Sequence, residues 1–253
     1  MKIFCLMLPL CCSFLQCQTA ATKPATPIAT ANNPISVGTI PLPAGYERVI
    51  QDFNSFGSYL RQLGLKNSKT VYLYNGQKKH NQEVQYAVVN ISTGKKDLQQ
   101  CADAVMRLRA EYLFAQNRLT EIDFTDNNLR HYQFKGSTHA QLLQYLETVY
   151  TMCGSLSLSR QLKTVPDFSS IAAGDVLIKG GAPGHAMIVM DVAQNKEGHK
   201  IYLLAQSYMP AQDIHIVINP VGPATSLWYA VTANESIITT PEWQFTTLQL
   251  KRW

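Results

Sequence analysis

Cys101 and His185 are the two residues of this sequence whose types and surroundings best suit covalent chemistry. A thiolate is a strong nucleophile, and an imidazole within hydrogen-bond reach is the usual base that produces it. Cys101 falls near the start of a predicted helix, where the dipole and unpaired backbone N–H groups favour a thiolate and help to hold an oxyanion. His185 follows Gly184 at the start of a predicted strand. The pair predicts acyl transfer, with the sulfur and a ring nitrogen about 3 to 4 Å apart.

A polar residue that would orient the imidazole lies at the end of the next predicted strand. Residues 186–192 and 200–205 are rich in aliphatic residues and flank a polar, glycine-containing turn, a pattern typical of an antiparallel hairpin. In this hairpin we expect His185 to lie opposite Gln206, or within one or two residues of it. Ser207 is the alternative if the register slips by one residue. A polar partner holds a catalytic imidazole in one orientation, and we expect Gln206 to have that role.

Four further residues near this trio are candidate substrate contacts. Gln100 precedes the cysteine, and its side chain or a neighbouring backbone N–H is suited to stabilising an oxyanion. Gly184 precedes the histidine, while Ser207 and Tyr208 begin a Pro-containing bend after the second strand. Each also has a structural interpretation, because glycine, serine and proline segments are common in plain turns. The residue types alone leave both interpretations open.

The helix that carries Cys101 has the clearest periodicity in the chain. Over residues 98–114 the apolar positions recur at helical spacing, with Asp97 as the predicted cap. The thiol then faces the interior from the first turn. A buried free cysteine is also a common packing residue, so the periodicity leaves a nucleophile and a small hydrophobic residue as equal interpretations. The apolar positions are Leu98, Cys101, Ala102, Val105, Leu108 and Tyr112.

Cys153 is the poorer nucleophile of the two cysteines that lie beyond residues 1–20. It ends a second predicted helix, capped by Thr138, and the dipole at a helix C-terminus disfavours a thiolate. A packing role is expected, with a disulfide to Cys101 as the alternative in an exported protein. No Cys/His spacing typical of a zinc site occurs, and neither a metal nor a cofactor is expected. The remaining histidines have no partner pattern and are expected at the surface: His80, His131, His139, His199 and His215.

Residues 1–20 are predicted to be a secretory leader, because a lysine precedes an apolar run too short to span a membrane. Cleavage near residue 20 would leave a free exported protein. Cleavage before Cys17 would leave a lipid-anchored one, which the Thr-, Ala- and Pro-rich tether at 21–34 favours. We therefore expect a folded domain over residues 35–253, either in the periplasm or anchored to the outer membrane of a bacterium.

The composition is that of a globular protein. Of the 253 residues, 46% are hydrophobic and 15% are charged, and the formal net charge is +5. The basic residues are scattered rather than clustered, so no nucleic-acid partner is expected. The succession of short strands and helices predicts a single α+β domain. In it, the later strands form a mostly antiparallel sheet, and the Cys101 helix packs on that sheet.

Four segments of the body resemble the bacterial envelope family called domain of unknown function 4846: PLPAGYERV, QQCADAVMRLRAEYL, GDVLIKGGAPGHAMIVMD and AQSYMPAQDIH. The order of a helix cysteine, a Gly-His strand and a later polar residue also resembles papain-like thiol hydrolases of the NlpC/P60 and CHAP branches, which are cell-wall amidases and endopeptidases. This second resemblance implies a papain-like arrangement, with Cys101 as nucleophile, His185 as base and Gln206 as the orienting residue.

The chain departs from those hydrolases in two respects. Cys101 lies in Gln-Cys-Ala-Asp instead of Asp-Cys-Ser-Gly, and an additional predicted helix separates it from His185. The resemblance implies a cysteine hydrolase acting on a peptide or peptidoglycan-like amide, with peptidoglycan or another envelope peptide or glycan as its partner. The alternative is a non-catalytic envelope lipoprotein that binds a glycan or a protein on the same scaffold, because a fold does not determine a function.

Overall fold

A nine-stranded antiparallel sheet forms the centre of the fold. In this computed structural model the described residues are 1, 34–222, 226–232 and 236–253. The thirteen strands of the described chain are β1 Tyr46–Arg48, β2 Gln85–Val88, β3 Asp123–Thr125, β4 His131–Gln133, β5 Lys163–Thr164, β6 Val176–Lys179, β7 His185–Asn195, β8 Lys200–Gln206, β9 His215–Val217, β10 Tyr229–Ala230, β11 Ile237–Thr239, β12 Gln244–Thr246 and β13 Leu250–Arg252.

The domain expected over residues 35–253 corresponds to one compact unit, Asn33–Trp253. Its class is α+β, as predicted. The leader expected at 1–20 and the tether expected at 21–34 lie outside the described residues, apart from their first and last members. Within the described ranges, no helix has both the length and the apolar character needed to cross a membrane.

The main sheet is wider than the later strands alone. Its strands follow the order β2-β9-β8-β7-β6-β13-β5, with β1 paired to β7 and β10 paired to β8. Each of these pairs is antiparallel. The long central strands β7 and β8 are buried over almost their whole length, because helices cover one face of the sheet and the C-terminal strands cover part of the other.

Four α-helices occur in the described chain: α1 Phe56–Gln62, α2 Cys101–Ala115, α3 His139–Met152 and α4 Ser155–Gln161. The helix predicted at 98–114 is α2, and it starts later than predicted. Asp97 is not its cap, because the Asp97 carboxylate instead accepts the backbone N–H of Ala211 at 2.7 Å. Gln100 occupies the cap position, so Cys101 is the first residue of the helix. The predicted Thr138 cap of α3 is confirmed, since its hydroxyl accepts the backbone N–H of Gln141.

The predicted hairpin is formed by β7 and β8. Ile188 pairs with Ala205 and Val192 pairs with Tyr202, with a bulge at Met190 between them. Continuing the register by one step brings Met187 opposite Gln206. His185 is then two residues further along β7 and projects from the same face as Met187, because side chains alternate along a strand. The predicted proximity of His185 and Gln206 is therefore confirmed, as a diagonal neighbour rather than a direct cross-strand pair.

The packing of α2 on the sheet positions Cys101. Along α2, the first eight residues are all buried, because the helix lies between the sheet and the helices α1, α3 and α4. Of the apolar positions predicted for the helix, all except Leu98, which precedes α2, belong to one continuous core that also contains Ala186 and Ile188 of β7. The N-terminus of α2 therefore lies beside the start of β7.

Candidate active site

His185 begins β7 immediately after a tight loop, and this loop requires a glycine at position 184. A Cβ atom on Gly184 would lie 2.3 Å from the carbonyl oxygen of Gly181 and 2.5 Å from the Oγ of Ser155. Both distances are far below van der Waals contact. Gly184 therefore allows the loop to pack against the start of α4, which sets the position where the histidine enters the sheet.

Gln206 contacts the imidazole directly. His185 Nε2 and Gln206 Oε1 are 2.9 Å apart, and both residues are buried, with exposures of 1% and 2%. The amide nitrogen of Gln206 donates to Glu242 Oε2 at 2.7 Å. A carboxylate only accepts hydrogen bonds, so this contact determines which end of the amide is oxygen. The oxygen then faces His185, which assigns the proton to Nε2 and leaves Nδ1 as the basic nitrogen.

His215 supports the same orientation of the Gln206 amide. Its Nδ1 lies 2.9 Å from the carbonyl oxygen of Asp213, so Nδ1 carries the proton and Nε2 is an acceptor. That Nε2 lies 3.3 Å from the amide nitrogen of Gln206, which can donate its second hydrogen to it. The expectation that His215 lies at the surface was wrong: it is 0% exposed. It begins β9, which pairs with β8 in the interior of the sheet.

An ion pair completes the network behind the imidazole. Lys79 Nζ lies 2.6 Å from Glu242 Oε1, and the lysine is buried while the glutamate is largely so. The chain of contacts thus runs from Lys79 through Glu242 and Gln206 to His185. Sequence reasoning missed Lys79 and Glu242, because neither belongs to a periodic pattern or to a short motif with the histidine. No signal in a single sequence would have indicated them.

The Cys101 sulfur lies against the start of β7. The backbone N–H groups of Ala102 and Ala186 act on the thiol, and Ala186 is the residue after His185. Burial raises the pKa of the Cys101 thiol, and these N–H groups lower it by a smaller amount. The residue is 9% exposed. The resting form is therefore a neutral thiol beside the backbone of the histidine strand. Cys101 packs with Ala186 and Ile188, whose side chains alternate along β7 with that of His185. Among the described residues no hydrogen bond joins the sulfur to the imidazole, so the contact between them stays a prediction.

The imidazole of His185 is also neutral at rest. Burial lowers its pKa to about 4, against the opposing effect of the Gln206 hydrogen bond. Its ring centroid lies 4.9 Å from that of Tyr208, 5.3 Å from Trp243 and 5.8 Å from Phe245. Tyr208 and Trp243 are partly exposed, so the approach to the imidazole runs past their rings. A neutral thiol and a neutral imidazole suit proton transfer during attack rather than a preformed ion pair.

Tyr208 has its side chain close to the reacting groups. Burial raises the pKa of its phenol, with further contributions from Glu242 and Cys101. The phenol is therefore within electrostatic reach of both. Lys179, which pairs with His185 across β6 and β7, extends its ammonium over the Trp243 ring at 5.9 Å. These side chains form the outer wall of the site.

Gln100 and Ser207 are engaged in contacts within the protein. The Gln100 amide donates to the Asp97 carboxylate at 3.1 Å. The Ser207 hydroxyl is 0% exposed and lies 3.0 Å from the carbonyl oxygen of Gln99 and 2.9 Å from that of Gln212. These bonds tie the segment before α2 to the segment after β8. Both residues thus help to hold the cysteine helix against the histidine hairpin.

Cys153 is buried at the end of α3 and is not bonded to Cys101, since both cysteines are free. The disulfide alternative is therefore not formed. Burial raises the pKa of the Cys153 thiol to about 12, with nearby carboxylates adding to the shift. The packing role expected for it agrees with this position. Among the described residues, no group of three or more His, Cys, Asp or Glu side chains comes together as a metal site.

Comparison with known proteins yields one family. A family model described as a domain of unknown function (4846) matches residues 37–136 and 127–252. The two segments together span nearly all of the described domain, including every residue of the network around His185. No curated protein matches the chain significantly, and no solved structure does so.

Proposed function

The chain belongs to the family called domain of unknown function 4846, and from its site we propose a thiol-dependent hydrolase that cleaves an amide bond in a peptide-like substrate of the bacterial cell envelope. Cys101 is the nucleophile, His185 the general acid–base and Gln206 the residue that orients the imidazole. The arrangement follows the papain-like order of a helix cysteine, a strand histidine and a polar partner. The amide substrate is proposed from the resemblance of that sequence order to NlpC/P60 and CHAP hydrolases.

One observation carries this proposal: the hydrogen bond of 2.9 Å between His185 Nε2 and Gln206 Oε1. Because Glu242 determines the orientation of the amide, the proton is held on Nε2 and the lone pair on Nδ1. A histidine that served only as a packing residue would not need its tautomer set by a buried carboxylate. A base that must accept a proton at one nitrogen does need it.

The chemistry balances without a cofactor. Nδ1 of His185 takes the thiol proton as the Cys101 sulfur attacks the carbonyl carbon, and the carbonyl oxygen becomes an oxyanion. In this proposal the N-terminal backbone N–H groups of α2 and the Tyr208 hydroxyl donate to that oxyanion. The carbon–nitrogen bond then breaks as Nδ1 returns the proton to the leaving amine. Water, deprotonated by the same nitrogen, hydrolyses the thioester and restores the thiol.

The burial of the imidazole has opposite effects on the two halves of this cycle. A pKa of about 4 makes His185 a weak base for the first proton transfer. The same value makes the imidazolium a strong acid towards the leaving amine. Expulsion of a poor leaving group therefore gains from burial, which suits an amide better than an ester.

A non-catalytic binding protein is the second candidate, and a specific observation favours it. The Cys101 sulfur is nearly closed to solvent, and burial opposes the charged forms of both the thiol and the imidazole. In that reading the network rigidifies the start of β7, and the outer wall binds a glycan or a protein of the envelope. Export by the predicted leader, with an optional lipid on Cys17, serves either candidate.

Thiol labelling and hydrolysis distinguish the two. Native protein is treated with iodoacetamide near neutral pH and, separately, with peptides released from peptidoglycan. We expect Cys101 to be labelled faster than Cys153, and Cys101→Ala to abolish amide cleavage at a cost of about 1 kcal/mol in stability. Cys153→Ala is the matched control and retains activity. Undiminished cleavage by Cys101→Ala, or a Cys101 that is labelled only after unfolding, would overturn the proposal.

A further inference from the structure

Arg109 lies on α2 eight residues after Cys101, roughly 12 Å further along the helix axis at 1.5 Å per residue. Its guanidinium carbon lies 5.2 Å from the ring centroids of Tyr112 and Trp253 and 5.3 Å from that of Phe56. Among the described residues it has no hydrogen-bond or ion-pair partner, and its Nε is a buried donor without an acceptor. The charge is therefore surrounded by rings, and the charged residues that act on it, Arg118 and Glu121, are of opposite sign and paired with each other.

A second unmatched donor lies at the same place. The indole Nε1 of Trp253 is also buried without a partner in the described chain. Both residues line a cavity of about 300 Å³, together with Phe56 and the segment at 172–175. Buried N–H donors are almost always paired in folded proteins. Two unpaired donors on the wall of one cavity are free to bind an acceptor that enters it.

The charge of the cavity follows from one ion pair. Arg252 also lines it, and its guanidinium binds both oxygens of Asp175, at 2.6 and 2.7 Å. That pair is neutral as a unit, and the second Asp175 oxygen also accepts the Ala172 N–H. The charge of Arg109 remains, so the side chains that line the cavity carry one net positive charge.

We propose that this cavity binds the carboxylate group of a small ligand or of a peptide end. The planar fork of an arginine matches the two oxygens of a carboxylate. One carboxylate balances the single charge of Arg109, whereas a phosphate dianion would leave an excess negative charge beside the aromatic rings. The rings of Phe56 and Trp253 offer an apolar wall to the part of the ligand next to the carboxylate.

This site is separate from the proposed catalytic centre. Between Cys101 and Arg109, α2 is covered by the sheet and by the other helices, and Val105 and Leu108 are fully buried. The proposed carboxylate site therefore does not depend on the proposed thiol chemistry.

The indole N–H resonances supply a direct test. Uniformly ¹⁵N-labelled protein is titrated with sodium phenylacetate, with sodium chloride and inorganic phosphate at equal ionic strength as comparison salts. The Trp253 indole resonance, assigned with Trp253→Phe, is expected to move downfield and saturate with phenylacetate alone. The Trp228 indole is an internal control, because it already donates to the carbonyl oxygen of Pro41 at 2.9 Å, and it should stay in place.

Three variants complete the experiment. Arg109→Gln removes the charge and should abolish saturation, while Arg109→Lys keeps the charge without the fork and should weaken binding about tenfold. Arg130→Gln is the matched control, because Arg130 also lies over a tyrosine ring, that of Tyr132, but does not line the cavity. It should bind like the wild type.

Three results would overturn the proposal. They are the absence of a saturable shift, an equal shift with chloride or phosphate, and an unchanged titration in Arg109→Gln. If Arg109→Gln loses its cooperative thermal transition, Trp253→Phe replaces it. In that variant the Arg109 Nε–H resonance reports on binding, and a Nε–H that does not respond to phenylacetate has the same meaning.

Discussion

The hydrogen-bond network behind His185 and the cluster around Arg109 treat their polar groups in opposite ways. Behind His185, donors and acceptors are paired inside the protein, from Lys79 through Glu242 and Gln206 to the imidazole. Around Arg109, two buried donors have no acceptor within the described chain. A matched network determines orientation and protonation before any ligand arrives, which is what proton transfer requires. The unpaired donors around Arg109 are instead available to a ligand that brings an acceptor.

The largest expected effect is that of replacing Gln206 by methionine. The same replacement at Arg109 serves as its counterpart. Gln206→Met leaves Glu242, His185 and His215 without their common partner. At about 1 to 3 kcal/mol for each buried group left unsatisfied, we expect the free energy of unfolding to fall by about 4 kcal/mol. The reactivity of Cys101 should fall about 100-fold, because the base loses its orientation. Denaturant unfolding and iodoacetamide kinetics measure the two quantities.

Arg109→Met is the counterpart and should be nearly neutral. It loses the cation–π contacts, worth about 1 kcal/mol, but it also removes a buried donor that has no acceptor. We expect stability to change by less than about 1 kcal/mol, with Cys101 reactivity unchanged. A cost similar to that of Gln206→Met would contradict the difference between the two regions.

The pH dependence of stability should come next in size. His185 and His215 both have their pKa lowered by burial from 6.5 to about 4, so between these values the unfolded chain binds one more proton at each. Burial raises the pKa of Asp103 from 3.8 to about 8, so in the same pH range the folded chain binds one more proton at this carboxyl group. In total, the unfolded chain binds one proton more than the folded chain. Stability should therefore fall by about 3 kcal/mol as the pH drops from 6.5 to 4.

Two variants separate these opposing contributions. His215→Phe removes one histidine and should leave stability nearly flat across the window. Asp103→Asn removes the carboxyl and should make the decline about twice as steep. Urea unfolding at a series of pH values measures both slopes. Identical slopes in the wild type and the two variants would show that these groups titrate alike in the folded and unfolded chains.

The smallest effect concerns the charges behind Gln206. Glu242→Gln removes a negative charge near His185 and should lower its pKa further, whereas Lys79→Met removes a positive charge and should raise it. Coulomb's law at a few ångströms beyond the hydrogen bond gives shifts of about one unit in each direction. The double variant should return close to the wild-type value. The imidazole pKa is followed through the His185 ring proton in NMR titrations.

Opposite signs are the essential outcome, because a purely structural ion pair would move the pKa in the same direction in both variants. Lys96→Met is the matched control. It breaks the exposed pair of Lys96 and Glu147, which are 64% and 46% exposed, and it should leave His185 unaffected. If the His185 pKa shifts in the same direction in Lys79→Met and Glu242→Gln, the ion pair has only a structural role.

Local patterns in the sequence predicted much of the central architecture. The periodicity of α2, the Thr138 cap of α3 and the β7–β8 hairpin were all predicted correctly. The contact of His185 with Gln206 followed from the hairpin, since two strands joined by a short turn bring nearby residues together. The family assignment rested on segments distributed over the same elements. These features depend on residues close in sequence, whose side chains decide helix, strand and turn by themselves.

The tertiary structure alone decided the exact start of α2, the burial of His215 and the partners behind Gln206. Asp97 loses its capping role because a backbone N–H from the segment after β8 reaches it. Lys79 and Glu242 meet across 163 positions of the sequence, and the aromatic rings around Arg109 come from three separate segments. Long-range packing and desolvation create these contacts and the pKa shifts that follow. Neither has a local pattern, because both depend on which distant residues exclude water together.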